Sequence, residues 1–334
     1  MKNENLSQLK KIKEIEKING FITKPEEIIW SSNKVYLNSN VITEGDIQLI
    51  RQKEGRIYIQ KSNTSELIDS ATLAKYSLPY VGDLIHKEIL LYATYNESYT
   101  KMNVFAVNFV TQKELWSMED GIGQIYFEKD NLFGHINSSI TKYNQQDGTK
   151  LWDVNLHNYG SYSINGESKK IDLQEFIGIH NSLLYIKAGS NLILGINLVS
   201  GQIEFECKYY QDYLVLDNLR IDKIKNCIFS IGPRHYIEFD LANSIFELTD
   251  LTEQITKYQI ETTRLGGWDR NQLYFWEGST NNKFGEFSRQ NKKINWCKTI
   301  DEIEGEFPAI KSVNYGKGKL YINDFRNKLH IYEL

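Results

Sequence analysis

A nine-residue phrase returns four times along this 334-residue chain. Asn108 to Trp116, Asn144 to Trp152, Asn197 to Phe205 and Ser288 to Trp296 each open on a small polar residue and close on a bulky ring. The copy ending at Trp152 is the clearest. Polar and apolar residues alternate up to Tyr143, Asp147 and Gly148 supply a tight turn, and Leu151-Trp152 opens the returning strand. Tyr236 to Leu248 is a fifth copy with a shortened turn. A hairpin repeated in this way confines the chain to a series of small antiparallel sheets, each needing neighbours to bury its faces.

An apolar strand precedes each hairpin. Taking Tyr58, Tyr92, Phe133, Tyr185, Phe229, Tyr274 and Tyr321 as anchors, these strands recur at intervals of 34 to 52 residues. A further strand runs ahead of most anchors, at 46–50, 123–127, 175–180, 219–224, 262–267 and 309–313. Its Gly178, Gly266, Gly267 and Ser312 suit strands crowded near an axis. Four strands per unit at this period predict a β-propeller, and seven anchors predict seven blades.

The two ends complement each other. Glu27 to Trp30 reads as the returning half of a hairpin, and residues 329–334 as an opening half. The expected fold is therefore an all-β, seven-bladed β-propeller over residues 21–334, closed by pairing of N- and C-terminal strands so that edges are protected. Residues 1–20 read as a short amphipathic helix. Leu6, Leu9, Ile12, Ile15 and Ile18 form its stripe, and Asn19-Gly20 its stop.

Composition narrows the function classes. A net charge of −4 with mixed signs gives no footprint for nucleic acid. No run approaches the roughly 18 to 20 apolar residues of a membrane span. The first twenty residues lack the apolar centre of a secretory signal. Cys207, Cys227 and Cys297 are odd in number and lack metal-ligand spacing. A cytoplasmic protein with no metal and no cofactor is expected.

The polar residue, Gly-containing turn and Leu-Trp pair resemble the tryptophan-docking repeats of the PQQ-like, quinoprotein-type β-propellers. The match is best at Tyr143 to Trp152 and good at Phe105 to Trp116 and Gly195 to Phe205. The resemblance implies that Trp30, Trp116, Trp152, Phe205 and Trp296 pack on neighbouring blades, each ring burying roughly 150 to 250 Å². Quinoprotein dehydrogenases are about twice as long and cover their cofactor with adjacent cysteines, which this chain lacks. What the resemblance implies is a ring of sheets used as a binding platform.

No catalytic residue is assigned. The histidines at 86, 135, 157, 180, 235 and 330 fall in different repeats without metal spacing, although His86, His135 and His180 sit on or beside strands near the axis. The long connections at 153–174, 208–217, 249–261 and 298–307 are expected on one rim. They supply the interface candidates Tyr159, Tyr162, Tyr209, Tyr210, Tyr213, Asp301, Glu302 and Glu304. Trp268-Asp269-Arg270 falls on the opposite face as a smaller patch or simple packing. The expected function is non-enzymatic binding of another protein, with toxin neutralisation by a bacterial immunity protein as one concrete role. The alternative is an enzyme or small-ligand protein with a site at the channel mouth.

Overall fold

The computed structural model describes residues 10–23, 27–53, 55–62, 64–78, 84–86, 88–95, 102–119, 122–164, 166–190, 192–208, 218–232, 234–261, 263–277, 282–300 and 309–334. They form eight four-stranded antiparallel meanders, one two-stranded hairpin, a seven-residue α-helix at Thr252–Tyr258 and a 3-10 turn at Leu156–Tyr159. Blade 1 comprises residues 20–44, blade 2 residues 47–78, blade 3 residues 84–118 and blade 4 residues 124–155. Blade 5 comprises 173–208, blade 6 comprises 220–250 and blade 7 comprises 264–299. Blade 8 takes three strands from 310–333 and its fourth, Lys10–Ile15, from the other end of the chain. The chain divides into two compact units. A terminal unit (1–48 and 215–334) holds blades 1, 6, 7 and 8, and a central unit (49–214) holds blades 2 to 5 apart from the first residues of blade 2.

Two expectations are corrected. There are eight blades, not seven, and the additional one is blade 1. Ile28–Trp30 is the second strand of a complete meander, not a lone returning strand, so Trp30 lies over Gly20 within its own blade. Its strands of three to five residues carry no hairpin phrase, which is why the repeat count passes over it. Of the stretch expected as a helix, residues 1–9 lie outside the described residues, and Lys10–Ile15 is a strand paired antiparallel with Leu329–Glu333. A bulge between Lys11 and Lys13 shifts its two-residue alternation by one, leaving a three-residue spacing that mimics a helical stripe. The termini do share a sheet, but through this strand. Ile15 and Ile18 join Phe21, Ile29, Tyr321, Leu329 and Ile331 in the core beneath it.

The opening polar residue of each repeat caps a turn. Asn108 Oδ1 accepts the N–H groups of Val110 and Thr111, Asn197 Oδ1 those of Val199 and Ser200, and Asp240 Oδ1 those of Ala242 and Asn243. Ser288 Oγ plays the same part for Asn291. Short polar side chains are favoured there because they satisfy backbone donors that the turn leaves unpaired.

Two of the closing rings dock on the next blade, while Phe205 lies edge-on to Tyr185 of its own blade, with centroids 5.5 Å apart. In the central unit, Trp116 Nε1 donates to Gln145 O (2.8 Å) and Trp152 Nε1 donates to Leu198 O (3.1 Å). Each indole lies flat on a turn glycine: a Cβ on Gly148 would stand 2.8 Å from Trp116 Cδ2, and φ there is +71°. Only glycine allows both the left-handed backbone and the close approach. A bulge precedes each ring, because Trp116 and Glu114 pair with adjacent residues and Leu115 is extra, as Leu151 is before Trp152. The bulge turns the leucine outward, leaving Leu151 54% exposed, and aims the tryptophan at the neighbour.

The long interval between the Phe133 and Tyr185 anchors holds no further blade. It holds the 3-10 turn and the hairpin of Ser161–Ile164 with Glu167–Lys170.

Deleting residues 329–334 removes four nearly buried side chains, Leu329, His330, Ile331 and Tyr332, and leaves Lys10–Ile15 without a partner. The expected result is loss of the cooperative thermal transition, whereas Ile331→Ala alone should cost about 2–5 kcal/mol by denaturant unfolding. An unchanged transition in the deletion would contradict the shared sheet.

Candidate functional site

In an antiparallel meander the turn between strands one and two and the turn between strands three and four emerge at the same end of the sheet. At that end of the terminal unit the first strands of blades 1, 6, 7 and 8 border a concavity of about 670 Å³. Phe21, Ile22 and Thr23 line it from blade 1, Asp222 and Ile224 from blade 6, Gly266 to Arg270 from blade 7, and Asn314 and Tyr315 from blade 8. Blades 7 and 8 meet tightly, since a Cβ on Gly266 would lie 2.8 Å from both the Cγ1 and the carbonyl oxygen of Val313. A side chain at that position would therefore force the two strands apart.

Three aromatic residues, Phe21, Trp268 and Tyr315, stand in the wall. Trp268 packs edge-on to Phe229 (5.3 Å between centroids), and Tyr315 stacks on Tyr274 at 4.6 Å. Burial, with Asp269 close by, raises the Tyr315 hydroxyl above its ordinary pKa. Both carboxylates of the site are engaged by the protein itself. Asp269 Oδ1 accepts the N–H groups of Asn271 and Gln272. Asp222 Oδ1 accepts those of Ile224 and Lys225, and its Oδ2 takes Arg289 Nη1 at 2.5 Å. Ile224, held up by that capped turn, is 79% exposed at the lip.

Arg289 is the largest fully buried side chain among the described residues. It stands at the second position of the blade 7 turn, where Phe109, Gln145 and Leu198 stand in the other copies of the phrase. Its guanidinium reaches back into blade 6, meeting Asp222, Glu238 Oε2 (2.8 Å), Tyr236 Oη (3.0 Å) and Cys227 Sγ (2.9 Å), and lies over the Phe229 ring. Tyr236 also donates to Glu238. Burial opposes charge on Asp222, but the hydrogen bond and charge of Arg289, with the Lys225 and Ile224 N–H groups, hold its carboxyl below the ordinary value. Glu238 is lowered against the same burial, by Tyr236 and Arg289. Burial pushes the Cys227 thiol up to about 11.

The interface candidates read from the sequence divide into two groups. Tyr209, Tyr210, Tyr213, Asp301, Glu302 and Glu304 lie outside the described residues. Tyr159 and Tyr162 lie in the central unit, and neither projects freely. Tyr159, 36% exposed, donates its hydroxyl to Glu206, and Tyr162 covers Gly189. His135 Nε2 meets Asp172 Oδ1 at 2.8 Å, and buried His330 meets Asp324 Oδ2 at 3.0 Å. The side chain of His86 lies outside the described residues. Among the described residues no three His, Cys, Asp or Glu side chains gather as they would around a metal ion, and no helix is long and apolar enough to cross a membrane.

Trp268-Asp269-Arg270, read as a minor patch, lies on the wall of the concavity. Ile224 and Arg289 were not singled out from sequence, and Asp222, paired there with Asp217, was given no role. The available signal was Arg289 itself, a charge at a turn position whose counterparts Phe109 and Gln145 are buried.

No known family profile matches the chain, and no curated protein matches its sequence. Solved structures do resemble it. BamB from Moraxella catarrhalis is 10% identical with a TM-score of 0.60, covering 98% of this chain and 100% of that one. The C-terminal WD40 domain of Sif2 is 9% identical at 0.61, covering 98% of each chain. A europium-containing methanol dehydrogenase is 8% identical at 0.59, covering 100% of this chain and 95% of that one. At such identities the likeness shows the fold, a β-propeller, and leaves function to the site.

Replacing Arg289 with Met removes one partner from a buried ion pair and is expected to cost about 3–5 kcal/mol in urea unfolding. The two lowered carboxylates also fix a pH dependence. Their stabilisation is complete above the ordinary carboxylate pKa of about 4, and it is lost as pH falls through that value towards their lower folded ones. The Met variant should lose this acid slope. An unchanged slope would place the acid sensitivity elsewhere.

Proposed function

We propose that this β-propeller is a non-enzymatic binding protein whose partner is another protein, seated on the concavity of the terminal unit. The observation that carries this reading is the lip and wall themselves. Ile224 projects to solvent beside Trp268, Tyr315 and Arg270, while Asp222 and Asp269 are already held by the protein's own donors. Trp, Tyr and Arg are the residue types that dominate binding energy at protein interfaces, and an exposed aliphatic beside them supplies area to bury.

Two finer statements belong to the same reading. The Trp116 and Trp152 contacts on turn glycines support a docking repeat of the PQQ-like kind. A toxin is one partner class that such a platform suits, with the propeller acting as an immunity protein that caps the toxin's active face. A second reading, a small-ligand site, has support in the volume of about 670 Å³. That lies in the range of about 300 to 1,000 Å³ typical of small-molecule pockets.

Affinity capture from the source organism's lysate separates these readings. Wild type is compared with Ile224→Asp, a change at an exposed position expected to leave the melting temperature within about 2 °C. One stoichiometric protein, depleted at least about ten-fold by the variant, is the expected result. Its identity decides the toxin question. Capture that the variant does not affect contradicts this interface, and a small metabolite that raises the melting temperature with no protein captured favours the second reading.

A further inference from the structure

The geometry points to an acidic segment of the partner protein, bearing one bulky apolar side chain, as what this concavity takes. This rests on the protein-binding reading and names its partner chemistry. The first observation is charge. The turns at the ends of the lining strands carry Lys225 on blade 6, exposed Arg270 on blade 7 and exposed Lys317 on blade 8, and exposed Lys293 follows the outer turn of blade 7. Of the carboxylates at the same end, Glu333 of blade 8 is exposed opposite Lys319, and five are engaged internally. Asp222 is held by Arg289 and Asp269 by its turn, Asp240 caps Ala242 and Asn243, Glu27 accepts from Tyr321, and Glu247 pairs with Lys292. The chain as a whole is acidic at −4, so this local excess of cations is not a reflection of composition.

The second observation is shape. Trp268 and Tyr315 line space of about 670 Å³, ample for a large apolar side chain. A second exposed apolar side chain stands beyond the concavity at the same end of blade 6: Ile245 (54% exposed) on its outer turn, as Ile224 (79% exposed) stands on its inner one. A compact ligand within the concavity would leave Ile245 in water, whereas an extended peptide leaving it across blade 6 would cover both isoleucines and pass the cations. Complementary charge then sets partner choice and speeds encounter, and the buried apolar anchor supplies most of the affinity.

The test uses the full-length chain and short fluorescein-labelled synthetic peptides read by fluorescence anisotropy. One peptide has Asp/Glu flanks around a central Phe, one has Lys/Arg flanks around the same Phe, and one has acidic flanks around Ser. The acidic Phe peptide should bind at least about ten-fold more tightly than either of the others, and more weakly as salt is raised. Arg270→Glu combined with Lys225→Glu should reverse the flank preference, and Ile224→Ser should weaken binding about ten-fold. A melting curve matching wild type for each variant ties these changes to the surface. Equal or tighter binding of the basic peptide, or a preference untouched by the charge reversal, overturns the inference. Failure of all three peptides, with Ile224→Asp still abolishing capture of a whole protein, overturns the acidic segment while leaving the protein-binding reading in place.

Discussion

Everything in this molecule depends on how one blade is fastened to the next. A single four-stranded meander cannot bury both faces, so its stability comes from its neighbours. The fastening point is the turn between the third and fourth strands. In the central unit the second residue of that turn offers its carbonyl oxygen to an indole N–H, from Trp116 to Gln145 and from Trp152 to Leu198. Between blades 2 and 3 the same turn position is filled by buried Phe109, edge-on to Tyr76. Between blades 6 and 7 it is filled by Arg289, and the direction of the contact is reversed: the turn sends its side chain back. One structural problem is solved by apolar packing at one junction and by a buried ion pair at another.

The ionic solution ties fold to site. Asp222 is both the partner of Arg289 and part of the wall of the concavity, and its other oxygen caps the turn that holds Ile224 outward. A tryptophan junction would leave that carboxylate without a cation. It would then repel an acidic partner or have to lose its charge. With Arg289 present the aspartate is neutralised from within, and the charge presented to solvent comes from Arg270, Lys225 and Lys317. The buried guanidinium thus serves stability directly and electrostatic selectivity through Asp222.

Much of the fold was legible in the sequence because each element of the hairpin phrase has one physical task. Asn108, Asn144 and Asn197 read as turn openers and are side-chain caps, and the closing Trp116 and Trp152 read as docking rings and do dock. What misled was phase. The bulge between Lys11 and Lys13 gave a strand the spacing of a helix, and blade 1 lacks the phrase altogether, so both its meander and the strand ahead of it went unread. Of the concavity, Gly266 and Gly267 were legible as strand residues near the axis and Trp268 to Arg270 as a turn patch. Its remaining walls come from strands far apart in the chain, and nothing local in Phe21, Asp222 or Tyr315 announces that they converge.

The proposed partner sits at the end of the terminal unit where those strands converge. Hydrogen–deuterium exchange on the purified complex is the decisive measurement. Slowed exchange is expected only at residues 223–226, 269–271 and 314–318, with the outer strands of the same blades unchanged. Slowed exchange instead at the 156–170 hairpin region of the central unit, with the terminal unit unaffected, would contradict that placement.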